Sequence, residues 1–263
     1  MKIHLALFIL VMGVLLHAPV QAQLKTQTIN YEQDGTSMTG YLAYDDAVSG
    51  KRPAVLVVHE WWGLNDYIRR RAEQLAGLGY VAFAVDMYGQ GKQTRHPQQA
   101  GEWSKEITQN KELWRKRASA GLEVLKKQSQ TDPERVAAIG YCFGGGTVQQ
   151  LAYSGADIKG IASFHGSLQE PPADAARQAK AKFLILHGAA DSFAKPEQVQ
   201  SYQASMAQSG LDYQVIVYGG AKHGFTNPQA GEHGIPALAY DGDADRRSWA
   251  HMRLFFDELF SSK

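Results

Sequence analysis

One short stretch, Gly140-Tyr141-Cys142-Phe143-Gly144-Gly145, constrains the fold of this chain more than any other. The apolar run at residues 135–139 predicts a buried strand directly before it, and residues 147–153 predict a helix after it. Cys142 therefore stands on a tight turn between a strand and a helix, with a glycine two positions before it and another two positions after it. A Cβ at either glycine would collide with the neighbouring strand or helix. This is the pattern of a nucleophile elbow in which cysteine takes the place of serine.

The same stretch has a simpler interpretation. A lone cysteine in an apolar setting is often a small buried side chain, and glycines after a strand also form ordinary tight turns. A nucleophile requires a base, and the base requires an acid that orients it, so the rest of the chain decides between the two interpretations.

Two residues further along the chain have the positions that such an acid and base require. Asp191 follows the apolar run at residues 183–187, and His223 follows the run at residues 213–218, so both stand at the carboxyl ends of predicted strands. The order nucleophile, acid, histidine is that of the α/β-hydrolase arrangement. We therefore predict that Cys142, Asp191 and His223 form a catalytic triad, and that the other histidines make ordinary loop or core hydrogen bonds.

The arrangement of apolar runs predicts the fold class. Two alternating segments, residues 26–32 and 37–44, predict an antiparallel start with Asp34-Gly35 as the turn. Continuous apolar runs and helical patterns then alternate along the chain, including a long helical region at residues 97–127. We predict an α/β-hydrolase fold, with a mostly parallel sheet, antiparallel N-terminal strands and helices on both faces. Ligands of such sheets bind outside the carboxyl ends of the strands.

An oxyanion hole would need two backbone N–H groups beside the nucleophile. Phe143 directly follows Cys142, and Trp61 lies in the loop after the predicted strand 54–59, so these two residues are the candidates. Glu60 is the neighbour of Trp61, and an acidic group there would repel the oxyanion unless it is neutral or paired. We expect Glu60 to accept a hydrogen bond from the resting thiol.

Composition excludes several classes of function. The 263 residues carry a net charge of +1 with no long acidic or basic run, so a nucleic-acid partner is not expected. No group of His, Cys, Asp and Glu has the spacing of metal ligands, so we expect neither a metal nor another cofactor. Cys142 is the only cysteine, which excludes an intramolecular disulfide. The length suits one large domain, which we expect to be a monomer.

The N-terminus has the three parts of a secretory signal peptide. Lys2 precedes an apolar stretch at residues 5–16, and residues 19–22 form a cleavage site. The apolar stretch is short for a spanning helix, and no cysteine follows the cut to carry a lipid. We predict a signal peptide at residues 1–22, one hydrolase domain at residues 23–263, export to the periplasm and no stable membrane anchor. An uncleaved amphipathic anchor is the alternative.

Five motifs, in order along the chain, together resemble those of the dienelactone hydrolase family. They are H-E-W-W-G-L (59–64), D-M-Y-G (86–89), G-Y-C-F-G-G (140–145), H-G-A-A-D (187–191) and A-K-H-G-F (221–225). The resemblance implies hydrolysis of small esters and lactones through an acyl-thioester on Cys142. It also implies a hydrogen bond between Glu60 and the resting thiol, and an oxyanion hole formed by Trp61 and Phe143.

One position departs from the pattern of that family. Where the family has an arginine that holds the substrate carboxylate, this chain has Gln90, with Lys92 and Arg95 nearby. A neutral amide does not replace a bidentate guanidinium, so we expect a lactone or ester other than the anionic dienelactone. Aromatic residues of the same and neighbouring loops complete the predicted substrate-binding site: Trp62, Tyr88 and Phe225.

We therefore expect a hydrolase that cleaves an ester or lactone bond of a small molecule. The alternatives are a hydrolase-fold protein that binds a small molecule without catalysis and a thiol-based redox sensor. The presence of all three triad residues disfavours the binder. A sensor would need an external thiol, because the sequence has no second cysteine.

Overall fold

The computed structural model describes residues 23–261. The signal peptide predicted at residues 1–22 lies outside the described residues, so its cleavage and the export of the chain stay predictions. Within residues 23–261, no helix is both long enough and apolar enough to cross a membrane.

One eight-stranded sheet forms the centre of the described chain. Its strands are β1 (Leu24–Gln33), β2 (Thr36–Asp45), β3 (Arg52–Val58), β4 (Val81–Val85), β5 (Thr131–Tyr141), β6 (Gly160–Phe164), β7 (Lys182–Gly188) and β8 (Tyr213–Tyr218). They lie in the order β1-β2-β4-β3-β5-β6-β7-β8. The β1–β2 and β2–β4 pairs are antiparallel, and the other pairs are parallel. The predicted α/β-hydrolase fold class, with its antiparallel start, is confirmed.

Helices connect the strands, and one predicted helical region differs from the observed structure. The α-helices of the described chain are α1 (Asp66–Gly77), α2 (Pro97–Gln109), α3 (Lys111–Lys126), α4 (Phe143–Tyr153), α5 (Ala175–Gln178), α6 (Pro196–Ser209) and α7 (Gly242–Phe260). The region predicted at residues 97–127 is two helices, separated at Asn110. The Asn110 backbone is extended there, and its side-chain oxygen accepts a hydrogen bond from the Leu113 N–H at 3.0 Å, which caps the start of α3.

Both faces of the sheet are covered by apolar layers. Along β3, Leu56 and Val58 face one layer while Val55 and Val57 face the other, as the two-residue period of a strand requires. All four side chains are fully buried, which explains the continuous apolar sequence of this strand. The central strands therefore form a rigid support for the loops at their carboxyl ends, where Cys142 lies.

Candidate active site

Cys142 lies on the turn that joins β5 to α4. Its backbone has φ 54° and ψ −114°, a conformation that residues other than glycine rarely adopt. The Cys142 N–H donates to the Phe164 carbonyl oxygen at 3.1 Å, and the Cys142 carbonyl oxygen accepts from the Gly145 N–H at 3.0 Å. These bonds hold the strained residue between a neighbouring strand and the first turn of α4. The structure thus has the geometry of a nucleophile elbow.

The glycines on both sides of Cys142 are required by space. An ideal Cβ on Gly140 would lie 2.0 Å from the Gly144 carbonyl oxygen, and one on Gly144 would lie 2.3 Å from the Val58 carbonyl oxygen. Both contacts are with backbone atoms, which no side-chain rotation can relieve. The start of α4 approaches β5 at Gly140, and the end of β3 at Gly144, this closely only because these positions carry no side chain.

Asp191 and His223 lie in the loops that follow β7 and β8, and they are hydrogen bonded to each other. His223 Nδ1 is 2.8 Å from Asp191 Oδ2, and both side chains are buried. The Phe193 N–H donates to the other carboxylate oxygen, Asp191 Oδ1, at 2.9 Å. An ionised carboxylate at Nδ1 requires a proton on that nitrogen, so Nε2 is the nitrogen left for Cys142.

The charges in this group of residues favour an imidazolium. Burial by itself would lower the pKa of His223, but a negative charge on the nearby Cys142 sulfur and the hydrogen bond with Asp191 raise it to about 10. Burial would raise the pKa of Asp191, but the hydrogen bond and charge of His223 hold it below its ordinary value. The arrangement therefore favours an imidazolium at His223 that the Asp191 carboxylate orients.

Glu60 is buried in the loop after β3, and its partner differs from the predicted one. Its Oε2 atom accepts a hydrogen bond from Asn227 Nδ2 at 2.7 Å. Asn227 Oδ1 accepts from the Gln229 N–H at 2.9 Å, which fixes the amide so that its nitrogen points to Glu60. Among the described residues no hydrogen bond joins Glu60 to Cys142, so the expected bond to the resting thiol is corrected to a bond with Asn227.

We expect Glu60 to make the protein less stable as the pH rises. Burial raises the pKa of Glu60 from 4.5 to about 7, against the opposing hydrogen bond from Asn227. Between these two values the folded chain keeps a proton that the unfolded chain has lost, so the free energy of unfolding falls with rising pH. The fall is at most about 3 kcal/mol, and it is complete above the folded-state pKa.

Urea unfolding of the wild type and of Glu60→Gln, on either side of this pH range, measures the effect. The glutamine still offers Asn227 an acceptor and does not titrate, so the variant is expected to gain stability relative to the wild type at the higher pH. Glu106→Gln, at an exposed position of α2, is the control and is expected to follow the wild type. An identical pH dependence in Glu60→Gln and in the wild type would contradict the raised pKa.

At the cavity that contains Cys142, the backbone N–H groups of Trp61 and Phe143 have no hydrogen-bond acceptor within the described residues. Phe143 is the first residue of α4, where a helix leaves its N–H groups unbonded. Trp61 lies in the loop after β3, where its carbonyl oxygen accepts a hydrogen bond from Tyr88 Oη at 3.0 Å. Both residues line the cavity together with Cys142, as the predicted oxyanion hole requires.

A cavity of about 550 Å³ is lined by Cys142, Asp191 and His223. Its apolar wall consists of Trp61, Phe143, Leu168, Phe193, Ala194, Tyr202 and Leu238, and its uncharged polar wall of Ser104, Thr108, Ser167, Gln198 and Ser201. Gly166 and Glu170 complete the wall. The volume suits a small organic substrate. Within residues 23–261 there is no group of three or more His, Cys, Asp or Glu side chains that could hold a metal ion.

Three aromatic residues that were predicted to contact substrate do not line this cavity: Trp62, Tyr88 and Phe225. Phe225 is fully buried in the core. Trp62 is also buried, and its indole stacks on His233 with 3.8 Å between the ring centroids. Tyr88 is buried too, and it supports the β3 loop through its hydrogen bond to the Trp61 carbonyl. These three side chains pack the loops that carry the site, and their predicted substrate contacts are corrected accordingly.

Gln90 is also absent from the cavity, and the turn at residues 86–91 explains why. The buried Asp86 carboxylate accepts hydrogen bonds of 2.9–3.1 Å from the N–H groups of Thr39, Tyr88, Gly89 and Gly91. These bonds hold the turn in one shape, in which Gln90 has φ 57° and is exposed. Neither cation nearby takes its place, because Lys92 is exposed outside the cavity and Arg95 borders a separate cleft.

The cavity also contains residues that the sequence analysis did not single out. Phe193 is 56% exposed and lies edge-on to the His223 imidazole, with 4.8 Å between ring centroids. Glu170, in the loop after β6, accepts a hydrogen bond from Ser201 of α6 at 3.0 Å. Phe193 stands two positions after Asp191, and that spacing is a signal that could have placed it at the site. No local pattern marks Glu170.

Comparisons with known proteins give the relationship of this chain to others. The model of the dienelactone hydrolase family matches residues 38–260. A crystal structure of a dienelactone hydrolase-like promiscuous phosphotriesterase from metagenomic libraries has 38% identity and a TM-score of 0.87, and the match covers 90% of this chain and 99% of that one. Protein usf of Aquifex pyrophilus is 30% identical over 240 residues, which are 89% of this chain and 99% of the relative. A protein of Aquifex aeolicus (strain VF5), provisionally named a carboxymethylenebutenolidase, is 31% identical over 206 residues, 76% of this chain and 87% of its own.

Proposed function

This chain belongs to the dienelactone hydrolase family, and we propose that it hydrolyses an ester or lactone bond of a small molecule with Cys142 as the nucleophile. The reaction in this proposal proceeds through an acyl-thioester. The observation that carries it is the placement of Cys142, His223 and Asp191 on one cavity, with 2.8 Å between His223 Nδ1 and Asp191 Oδ2.

In the first half of the reaction, the Cys142 thiolate attacks the carbonyl carbon of the substrate and a C–S bond forms. The negative charge moves to the carbonyl oxygen, where the N–H groups of Trp61 and Phe143 stabilise it. When the tetrahedral intermediate collapses, the C–O bond to the leaving group breaks, and His223 gives its Nε2 proton to that oxygen. An ester releases its alcohol at this point, whereas an opened lactone keeps its new hydroxyl on the acyl group.

In the second half, the neutral His223 accepts a proton from a water molecule, and the water oxygen attacks the thioester carbon. The C–S bond breaks, the sulfur leaves as the thiolate, and the carboxylic acid is released. Asp191 holds the imidazole in one orientation and stabilises its charged form in both halves.

Glu60 has a separate role in the proposal. Its buried carboxyl is held by Asn227 beside Trp61, and in its protonated form it does not repel the oxyanion that the Trp61 N–H stabilises. Burial raises the pKa of Glu60 to about 7, and a group with this pKa exchanges its proton readily near neutral pH.

Two other functions would use the same residues. A redox sensor would react through Cys142, but it would need an external thiol because the chain has one cysteine. A protein that only binds a small molecule would have no use for the bond between His223 and Asp191, and that bond favours the hydrolase.

Alkylation of Cys142 tests the proposal without any substitution. We expect the wild type to release 4-nitrophenolate from 4-nitrophenyl acetate, and we expect stoichiometric iodoacetamide to stop the release, because the chain has one cysteine. Intact mass spectrometry counts the carbamidomethyl groups that are added. Turnover that continues after complete alkylation would contradict the proposal. If the untreated protein releases no 4-nitrophenolate and iodoacetamide does not modify its thiol, the protein that only binds a small molecule is favoured.

A further inference from the structure

We infer that this site takes uncharged esters or lactones, and that Glu170 is the residue that excludes substrates carrying a carboxylate. The inference rests on the proposed function and adds the class of substrate to it. Its basis is the distribution of charge around the cavity that contains Cys142.

The cavity wall has no cationic side chain available to balance a carboxylate on the substrate. No lysine or arginine is among its lining residues. The one cation that the lining residues can form is the imidazolium of His223, which is already paired with the Asp191 carboxylate. A carboxylate that enters the cavity therefore loses its water without gaining an opposite charge, which is unfavourable.

Two cationic residues that follow or adjoin site residues in the sequence, Arg71 and Lys222, form their contacts outside the cavity. Arg71 donates to Asp245 Oδ1 at 2.5 Å in a partly buried ion pair. Lys222, the neighbour of His223, donates to the Pro236 carbonyl oxygen at 3.0 Å. Neither side chain lines the cavity, so neither replaces the missing counter-charge.

Glu170 adds a negative charge to a wall that already lacks a positive one. It is exposed, and its partner in the described structure is the uncharged hydroxyl of Ser201, at 3.0 Å. Because Ser201 belongs to α6, this bond holds the Glu170 carboxylate between the β6 loop and α6, at the wall of the cavity. Two like charges about 8 Å apart, at an effective dielectric constant of about 30, weaken binding by about tenfold.

The rest of the wall favours an uncharged ligand with an apolar part. Its larger apolar side chains are Trp61, Phe143, Leu168, Phe193, Tyr202 and Leu238. The serine, threonine and glutamine side chains between them offer hydrogen bonds without net charge, which suits the oxygens of an ester or a lactone.

Two matched pairs of aryl esters test the inference. Methyl 4-nitrophenyl adipate and the 4-nitrophenyl hydrogen adipate anion differ in charge on the acyl chain. 4-(Methoxycarbonyl)phenyl butyrate and the 4-carboxyphenyl butyrate anion differ in charge on the leaving group. The value of kcat/KM is measured for the wild type, for Glu170→Gln and for Glu134→Gln. Glu134→Gln is the control: it changes the net charge by the same amount as Glu170→Gln, at an exposed position of β5 that does not line the cavity.

The wild type is expected to prefer the uncharged ester of both pairs by about tenfold or more. For each pair, the preference is the ratio of kcat/KM for the uncharged ester to kcat/KM for the anion. Glu170→Gln is expected to lower this ratio by about tenfold in at least one pair, whereas Glu134→Gln leaves it unchanged. High salt is expected to narrow the preference of the wild type and to leave that of Glu170→Gln unchanged, because it screens exposed charges.

A wild type that prefers the anions, or a Glu170→Gln variant with both ratios unchanged, would overturn the inference. If the wild type hydrolyses 4-nitrophenyl acetate but shows no preference between the uncharged and the anionic ester of either pair, the proposed substrate class is contradicted and the proposed function is not. No hydrolysis of any of these esters would contradict the proposed function as well.

Discussion

Cys142→Ala is expected to lower kcat for 4-nitrophenyl acetate by about 10³-fold or more, because the variant lacks the sulfur that forms the bond to the acyl group. The N–H groups of Trp61 and Phe143 and the cavity remain, so a small residual rate above that of water is expected. The alanine Cβ occupies the place of the cysteine Cβ at φ 54°, so the fold is expected to stay unchanged.

Two controls separate chemistry from folding in this experiment. Urea unfolding is expected to give nearly the same free energy for Cys142→Ala and the wild type. Cys142→Ser retains a nucleophile of similar size but a weaker one, and we expect its rate to lie between those of the other two proteins. A Cys142→Ala variant that retains a tenth or more of the wild-type rate would contradict the assignment of the nucleophile.

Gly144→Ala is expected to destabilise the protein by about 3 kcal/mol or more, because the new Cβ overlaps the backbone. The ideal Cβ would lie 2.3 Å from the Val58 carbonyl oxygen and 2.7 Å from the His59 carbonyl oxygen. Relief of this overlap requires the start of α4 to move away from β3. The same movement would displace Cys142 and the Phe143 N–H, so we expect activity to fall together with stability.

Gly77→Ala is the matched control for this substitution. Gly77 is the last residue of α1, and a Cβ there would meet no atom within 4 Å. Alanine has the higher helix propensity, so a gain in stability of up to about 1 kcal/mol is expected. Urea unfolding of both variants measures the difference. A Gly144→Ala protein as stable as Gly77→Ala would contradict the close approach of α4 to β3.

Much of the site was predictable because its residues stand at strand ends. Cys142, Asp191 and His223 each follow a short apolar run, and a buried strand is among the clearest signals in a sequence. Parallel strands bring their carboxyl ends to one edge of the sheet, so three distant residues could be assigned to one place. The fold class and the family are confirmed, while the catalytic roles of the three residues stay predictions.

The wall of the cavity was not predictable in this way, because tertiary packing decides it. Tyr88 and Phe225 stand in loops next to the site, but the side chains turn into the protein and pack there. Glu170 and Tyr202 reach the cavity from the β6 loop and from α6, and no local pattern determines how these segments approach Cys142. The bond between Glu60 and Asn227 likewise joins residues far apart in the sequence.

The break between α2 and α3 illustrates a smaller limit of the sequence pattern. Apolar residues continue at helical spacing on both sides of Asn110, so the period alone indicates one helix. The Asn110 side chain instead accepts a hydrogen bond from the Leu113 N–H, and asparagine is favoured at helix starts for this reason. An asparagine inside a periodic region was the signal that could have located the break.

Intact mass spectrometry of the protein during turnover of 4-nitrophenyl acetate, quenched in acid, tests the central claim most directly. The account predicts a mass increase of one acetyl group that maps to Cys142, is released by hydroxylamine and is absent from Cys142→Ala. Acetylation of a different side chain, at a rate that matches turnover, would contradict it.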